Sequence, residues 1–366
     1  AGLSLVHRLN SLSSGTVDSE SYGLGVTTKY EVDLWKRLRA NRQASDLDVA
    51  TTQEELHAVM QSLVSQVVLT WLDVLQAQQL LDIARKQLET NRTTLELIEL
   101  RFNKGLASSL DVFQQRQAVA RSEALLPPLE AQDAVLKHGL AVLLGKAPRT
   151  PLELGDSLFP ALGTLPAYGL PVDLLAHRPD VRAAGLRLQS ADWRVSAARA
   201  NRLPALGLIG GFSFNSGDVD LLFDNWMTSL SASLTGPIFD AGRRRAEVER
   251  ARAVVDERLN AYRAVVLRAV LEVENALVQL DRHGVYIETL GAQYNAALQT
   301  HSEALNRYRK GLNDYLPVLT ALTNAQNLER SVVGAEHDLR VLRVQLHLAL
   351  GGNWMNTAAL NAPEEK

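Results

Sequence analysis

Several segments of the chain alternate between apolar residues and small or polar ones. From Tyr22 to Leu34 every second residue is apolar or threonine, and the residues between are glycine, threonine or charged. A period of two places successive side chains on opposite faces of a strand. With the turn segments between them, these stretches predict two β-hairpins, over 1–35 and 204–239. The other alternating segments are 205–215, 226–235 and, more weakly, Leu3, Leu5 and Leu9.

A different spacing follows each predicted hairpin. Apolar residues separated by alternating steps of three and four run through 63–102 and 248–308 without a proline. This spacing is typical of a coiled-coil seam. A helix from Arg37 to Phe102 would be roughly 100 Å long, at about 1.5 Å per residue.

The chain contains an internal duplication. The segment Arg101–Leu106 recurs as Arg307–Leu312, an offset of 206 (307 minus 101), and Leu144-Gly145 recurs as Leu350-Gly351 at the same offset. We therefore predict two copies of one helical repeat. The resulting divisions are a first repeat at 36–145, a connecting segment and helix at 146–203, a second repeat at 240–351 and a tail at 352–366.

Each long helix is predicted to end at a hairpin tip, Lys104-Gly105 in the first copy and Lys310-Gly311 in the second. Glycine suits the left-handed position after a helix, and lysine suits the negative end of the helix dipole. A shorter helix returns from each tip.

The two return helices differ in their predicted starts and interiors. Ser108 with Asp111 is expected to cap the first one, and Asn313 or Asp314 the second. Pro127-Pro128 is expected to interrupt the first return helix, which gives a kink in that copy only.

Composition excludes several functions. The net charge of -3 gives no case for nucleic-acid binding, and the absence of cysteine removes disulfides and thiolate metal sites. The eight histidines are scattered without metal-ligand spacing, and no nucleotide-binding loop or nucleophile motif occurs. We predict no enzyme activity, cofactor or metal site. No signal peptide and no membrane-spanning helix are expected either.

The alternating segments are typical of membrane β-barrel strands, with a half-buried sheet in a soluble domain as the alternative. Four strands cannot close a barrel, and open edges are not tolerated in lipid. In the membrane interpretation several chains must share one barrel, with eight strands in a dimer and twelve in a trimer. Basic clusters where strands meet helices either contact lipid headgroups or are solvated. The predicted lipid-facing residues are Tyr22, Leu24, Val26, Phe212, Phe214 and Trp226.

Several further motifs stand out: Gly169–Leu175 followed by Arg178–Val181, Tyr30–Trp35, Pro237–Phe239 and Leu350–Trp354. With the duplication, they make the whole chain similar to the outer-membrane efflux proteins of the TolC type, in particular the branch that serves drug and metal efflux pumps. The resemblance implies a mainly α fold with a membrane β-barrel. Three chains would form a 12-stranded barrel in the outer membrane of a Gram-negative bacterium and an α-helical barrel across the periplasm.

The resemblance also implies a function and partners. The homotrimer would be a passive exit duct without a cofactor. A periplasmic adaptor (membrane fusion protein) and an inner-membrane efflux pump would supply substrate and energy. In the family the tips close the periplasmic entrance and engage the adaptor. The implied adaptor-contacting residues are Arg101, Lys104, Gly105, Lys310 and Gly311, and the implied gate residues are Arg307, Tyr308, Asp314, Thr320 and Thr323.

The chain departs from the family pattern in places. Thr320 and Thr323 stand where relatives often have an aspartate and an arginine, and Lys36 stands where glycine is common. The chain is also expected to lack an earlier N-terminal segment, often opening with a lipidated cysteine, that relatives carry. The sequence alone supports two interpretations of Arg307 equally: a gate residue, or a solvated arginine beside Tyr308 in the coiled-coil seam.

Two other functions remain open at this point. A protein-secretion duct of the same family would have the same sequence features. A soluble trimeric coiled-coil scaffold would share the helical pattern, but its exposed apolar strand face would promote aggregation in buffer without detergent.

Overall fold

The structure, a computed structural model, describes residues 2–10, 19–155, 158–163 and 177–352. The motif Gly169–Leu175, the end of Leu350–Trp354 and nearly all of the tail at 352–366 lie outside the described residues. The elements in chain order are β1 Gly2–Asn10, β2 Ser19–Val32, α1 Arg37–Asn103, α2 Ser109–Leu143, α3 Pro179–Ala200, β3 Ala205–Ser216, β4 Trp226–Thr235, α4 Arg243–Arg309 and α5 Tyr315–Ala349.

The helices reproduce the duplication. Helices α1 and α4 each have 67 residues, and α2 and α5 each have 35. All four helix starts and ends are related by the offset of 206. Backbone angles follow the same rule, since Gly105 and Gly311 have φ of 74° and 75°. The prediction of a repeated helical unit is confirmed.

The four strands form one antiparallel sheet in the order β1-β2-β3-β4. Leu24 lies opposite Phe214, which lies opposite Trp226, and Val26 lies opposite Phe212. Tyr22 shares this face because it is two residues from Leu24. The residues predicted to face lipid therefore share one face of the sheet. Strands β1 and β4 are its two edges.

The opposite face of the sheet carries many small side chains, with Lys29 and Glu31 of β2 also on it. A Cβ atom added at Gly23 would lie 2.8 Å from Asn215 Oδ1, and one added at Gly211 would lie 2.8 Å from Ser229 Oγ. A larger residue at either position would have to displace the side chain of the neighbouring strand.

Two compact units divide the chain, the first made of 1–54 and 182–264 and the second of 55–181 and 265–366. In the first unit α3 packs on the start of α1 through small side chains, with Ala44 and Ala183 each 2% exposed. Ser190 Oγ donates to Asp48 Oδ1 over 2.7 Å. In the second unit one apolar core, described below, lies at the hairpin tips, and another contains Leu290, Ala325 and Leu328.

Two sequence predictions about helices are wrong. Pro127-Pro128 does not interrupt the first return helix, which is continuous over Ser109–Leu143. The expectation that no segment is long and apolar enough to cross a membrane also fails, by length and composition only, since among the described residues α1 contains one such stretch. Apolar residues of this helix pack inside the second unit, where Val74 and Leu75 are each 0% exposed.

Candidate functional site

The tips of the two helical hairpins have the same backbone geometry. At the first tip the N–H of Leu106 donates to Arg101 O over 2.8 Å, and at the second the N–H of Leu312 donates to Arg307 O over 2.9 Å. This six-to-one bond after a left-handed glycine is the Schellman ending of a helix. It explains the Lys-Gly pairs of the sequence, whose lysines are exposed.

The starts of the return helices differ. Ser108 and Asp111 form a capping box, in which the Asp111 N–H donates to Ser108 Oγ over 3.2 Å and the Ser108 N–H donates to Asp111 Oδ2 over 3.0 Å. Asp314 occupies the equivalent cap position of α5, but its side chain accepts no capping hydrogen bond. The cap prediction is thus confirmed for α2 and correct only in position for α5.

A small core holds the two tips together within the second unit. It contains Ile98, Val112, Tyr308, Tyr315 and Val318. The rings of Tyr308 and Tyr315 lie 5.4 Å apart between centroids. Residues from both repeats contribute, so movement of one hairpin against the other must disturb this packing.

An arginine covers Tyr308, but it is not the neighbouring one. The guanidinium carbon of Arg101, from the first repeat, lies 4.7 Å from the centroid of the Tyr308 ring. Such a cation–π contact is worth about 0.5–2 kcal/mol. Arg307 is exposed and makes no side-chain contact of this kind among the described residues. Within one chain, Tyr308 therefore pairs with Arg101 and not with Arg307, the arginine next to it among the predicted gate residues.

A chain of buried hydrogen bonds runs beneath this core. The Tyr315 hydroxyl donates to Gln115 Oε1 over 2.5 Å, and Gln115 Nε2 donates to the Asn91 carbonyl over 2.7 Å. Asn91 Nδ2 in turn donates to Ser122 Oγ over 2.7 Å. Burial, with smaller effects from Tyr308 and Asp111, raises the pKa of Tyr315, so the hydroxyl keeps its proton. The sequence analysis did not predict these hydrogen bonds, because polar residues within a heptad pattern are usually exposed to solvent.

The tips enclose a cleft of about 620 Å³. Its polar lining includes Asp111 and Asp314, and its apolar lining includes Leu106, Leu110 and Leu316. These leucines are more than half exposed, at 60%, 62% and 55%. Leu106 corresponds to Leu312 at the offset of 206, so each tip presents an equivalent apolar side chain.

The remaining predicted gate residues contribute no side chain to the core around Tyr308 and Tyr315. Thr320 is exposed, and its hydroxyl donates to Leu316 O within its own helix over 2.9 Å. Thr323 is half-buried and Asp314 is exposed. In the part of the chain that the structure describes, no group of three or more His, Asp or Glu side chains is arranged to hold a metal.

A buried histidine was also missed by the sequence analysis. His337 is 8% exposed, and its Nε2 and Nδ1 lie 2.9 Å from Asp73 Oδ1 and 3.1 Å from Asp338 Oδ1. Burial opposes its protonation, but these two bonds outweigh burial and raise the pKa of His337. Asp73 is 264 residues away from His337 in the sequence, whereas Asp338 is its neighbour. Sequence spacing could therefore have suggested only the contact with Asp338.

Known proteins resemble the chain over almost all of its length. The model of the outer membrane efflux protein family matches residues 2–146 and 170–352. The pyoverdine export outer membrane protein OpmQ of Pseudomonas putida is 32% identical over 351 residues, which cover 93% of this chain and 73% of OpmQ. The solvent efflux pump outer membrane protein SrpC of Pseudomonas putida is 32% identical over 94% of this chain and 74% of SrpC.

Solved structures agree with these sequence relatives. The outer-membrane channel OprN superposes with a TM-score of 0.89 at 29% identity, over 96% of this chain and 81% of OprN. CusC superposes with a TM-score of 0.88 at 25% identity, over 96% of this chain and 82% of CusC. The chain therefore belongs to the outer membrane efflux protein family, and it is an outer-membrane efflux component with the TolC-type fold.

Proposed function

We propose that three copies of this chain form a passive duct through which small molecules, drugs or metal ions, leave the periplasm across the outer membrane. The observation that carries the proposal is the four-stranded sheet with edges at β1 and β4. Backbone groups along a sheet edge must be paired in hydrocarbon, so four strands are not a stable membrane structure on their own. Three copies give twelve strands, enough for a barrel with an open interior.

The two faces of the sheet support this arrangement. One face carries Leu24, Val26, Phe212, Phe214 and Trp226, which suits contact with lipid. The other carries glycine and serine at most positions of β3 and β4, together with Lys29 and Glu31 of β2, which suits an open and polar interior. A duct of this kind neither binds cargo tightly nor performs chemistry on it, so we expect no enzyme activity and no cofactor.

The hairpin tips are the proposed gate. Their core and the Tyr315–Gln115 bond join the two hairpins of one chain. Within the described residues the Arg307 guanidinium has no hydrogen bond or ion pair, which leaves it available for a contact with the next copy. A multi-donor side chain near a threefold axis would influence whether the helices splay. Asp314, Thr320 and Thr323 complete the proposed gate surface.

The tips are also the proposed contact for a periplasmic adaptor. Lys104, Gly105, Lys310 and Gly311 are exposed there, beside exposed Leu106 and Leu312. Apolar side chains next to cations at the end of a helical hairpin suit a protein partner. An inner-membrane pump acting through that adaptor would supply energy.

Ion conductance of the purified protein in planar bilayers tests both the duct and its gate. We expect discrete channels, and Arg307→Ala should raise the single-channel conductance because a contact that holds the entrance shut is lost. Arg121→Ala is the matched control, since Arg121 is also exposed and lies on α2 away from the tip. A protein that never conducts contradicts the duct, and equal conductance in both variants contradicts the gating role of Arg307.

A further inference from the structure

Unpaired cations gather where the sheet meets the long helices in the first unit. Four residues, 33–36, link strand β2 to α1, and seven residues, 236–242, link β4 to α4. Exposed cationic side chains surround these links and make no hydrogen bond or ion pair within the described ranges. They are Lys36, Arg39, Arg199, Arg202 and Arg243.

The carboxylates at this junction are already engaged. Both oxygens of Glu31 accept from Arg37 Nη2, over 2.7 and 2.8 Å. Asp33 accepts the backbone N–H groups of Leu38 and Arg39 over 3.0 and 2.8 Å, which caps α1. These carboxylates use their acceptors locally, so neither of them pairs with any of the five exposed cations.

Asp240 plays the corresponding part in the second link. Its two oxygens accept the N–H groups of Gly242 and Arg244 over 3.1 and 3.3 Å. The side chain of Arg244 is engaged as well, because its Nη1 donates to the carbonyl of Asn201. The excess positive charge therefore resides on the exposed arginines and lysine and not on the capped helix starts.

Exposed apolar side chains accompany these cations. Trp35 is 47% exposed, and its indole Nε1 donates to Pro204 O over 2.8 Å, which fixes the ring beside a cleft of about 200 Å³. Leu34, Leu38 and Leu203 are 51%, 41% and 43% exposed. Tryptophan, leucine and free cations in one layer have the composition of a membrane–water interface, where rings sit at headgroup level and cations meet phosphates.

We propose that this junction binds the headgroups of anionic phospholipids in the periplasm-facing leaflet of the outer membrane. The inference rests on the proposed function, because it requires the sheet to lie in the membrane and the helices to leave it at this level. Arginine suits the task since its planar fork donates two hydrogen bonds to one phosphate. The structure thus favours headgroup contact over simple solvation for the junction's basic residues.

The test is the thermal stability of the intact protein in neutral detergent as phosphatidylglycerol or phosphatidylcholine is added. Phosphatidylglycerol should raise the melting temperature more than phosphatidylcholine. In the triple variant Arg39→Gln, Arg202→Gln, Arg243→Gln, the phosphatidylglycerol concentration for half-maximal stabilisation should rise by about tenfold or more. Inorganic phosphate at equal charge should not reproduce the effect, because it lacks the acyl chains that the apolar residues contact.

A matched control removes three exposed cations from the second unit, with Lys86→Gln, Arg121→Gln and Lys146→Gln, and should respond as the wild type does. Equal lipid responses in the two triple variants overturn the proposal. If the junction variant does not fold, the salt dependence of the wild type is the test. Its preference for phosphatidylglycerol should be weaker at about 500 mM NaCl than at about 50 mM NaCl. An equal preference at both salt concentrations overturns the proposal. Bilayer conductance of the wild type separates failure of this site from failure of the duct.

Discussion

Tyr315 and Gln115 join the two helical hairpins of one chain through a buried hydrogen bond. The hydroxyl of Tyr315, at the start of α5, donates to Oε1 of Gln115, on α2, over 2.5 Å. The two side chains are 1% and 0% exposed. Because neither atom reaches water, the bond must persist, or be replaced, whenever the hairpins move against each other.

Replacement of Tyr315 by Phe should destabilise the protein. The change removes only the hydroxyl, but it leaves Gln115 Oε1 buried without its donor, which costs about 1–3 kcal/mol. We expect a lower melting temperature in detergent, measured by circular dichroism at 222 nm.

The matched control is Tyr308→Phe in the same core, where the Tyr308 ring centroid lies 5.4 Å from that of Tyr315. The Tyr308 hydroxyl is buried without a hydrogen-bond partner in the described structure, so its removal should leave the melting temperature unchanged or raised. An equal fall in melting temperature in the two variants would contradict the claim that the Tyr315–Gln115 hydrogen bond stabilises the protein.

Lys36→Gly should stabilise the protein. Lys36 has a φ of 58°, in the left-handed region, where a side chain costs roughly 1–2 kcal/mol. The equivalent residue of the second repeat is Gly242, with a φ of 81°. We therefore expect a gain of about 1 kcal/mol, measured by chemical unfolding in detergent without anionic lipid.

Lys36→Gln separates strain from charge, because it removes the charge and keeps the Cβ atom. It should leave the stability close to that of the wild type. A gain from Lys36→Gln as large as that from Lys36→Gly would attribute the effect to charge and contradict the strain argument.

Much of the fold was predictable because the duplication restricts it. Once the tips at Gly105 and Gly311 set the offset, the equal lengths of α1 and α4 and of α2 and α5 follow. The strand pattern also predicted the hairpins to within a few residues. Pro127-Pro128 misled the prediction, since two missing N–H donors did not end a 35-residue helix held by packing.

The site was less predictable because its contacts join distant parts of the sequence. Arg101 and Tyr308 lie 207 residues apart (308 minus 101), and no spacing rule connects them. Sequence favours the adjacent Arg307, yet a residue one step along a helix points about 100° away from its neighbour. Gln115 and Asn91 were overlooked because buried amides in long helices cannot be told from solvated ones by periodicity.

The stability contribution of His337 should depend on pH. Its pKa is raised in the folded protein, so its charged form stabilises the fold fully below its unfolded pKa, and this contribution disappears as pH rises through the raised value. The melting temperature of His337→Asn should therefore fall further below that of the wild type at about pH 6 than at about pH 9.

His301→Asn is the control for this titration. Burial lowers the pKa of His301, so its linkage has the opposite sign and the loss should be larger at the higher pH. A loss for His337→Asn that is the same at both pH values would show that Asp73 and Asp338 do not stabilise the imidazolium.

Native mass spectrometry of the purified protein in detergent shows directly whether several chains share one barrel. Sheet edges at β1 and β4 must meet those of other copies to close a barrel in the membrane. We expect a single species of three chains that persists until denaturant is added. A species of one chain, folded and dispersed in buffer without detergent, would contradict it.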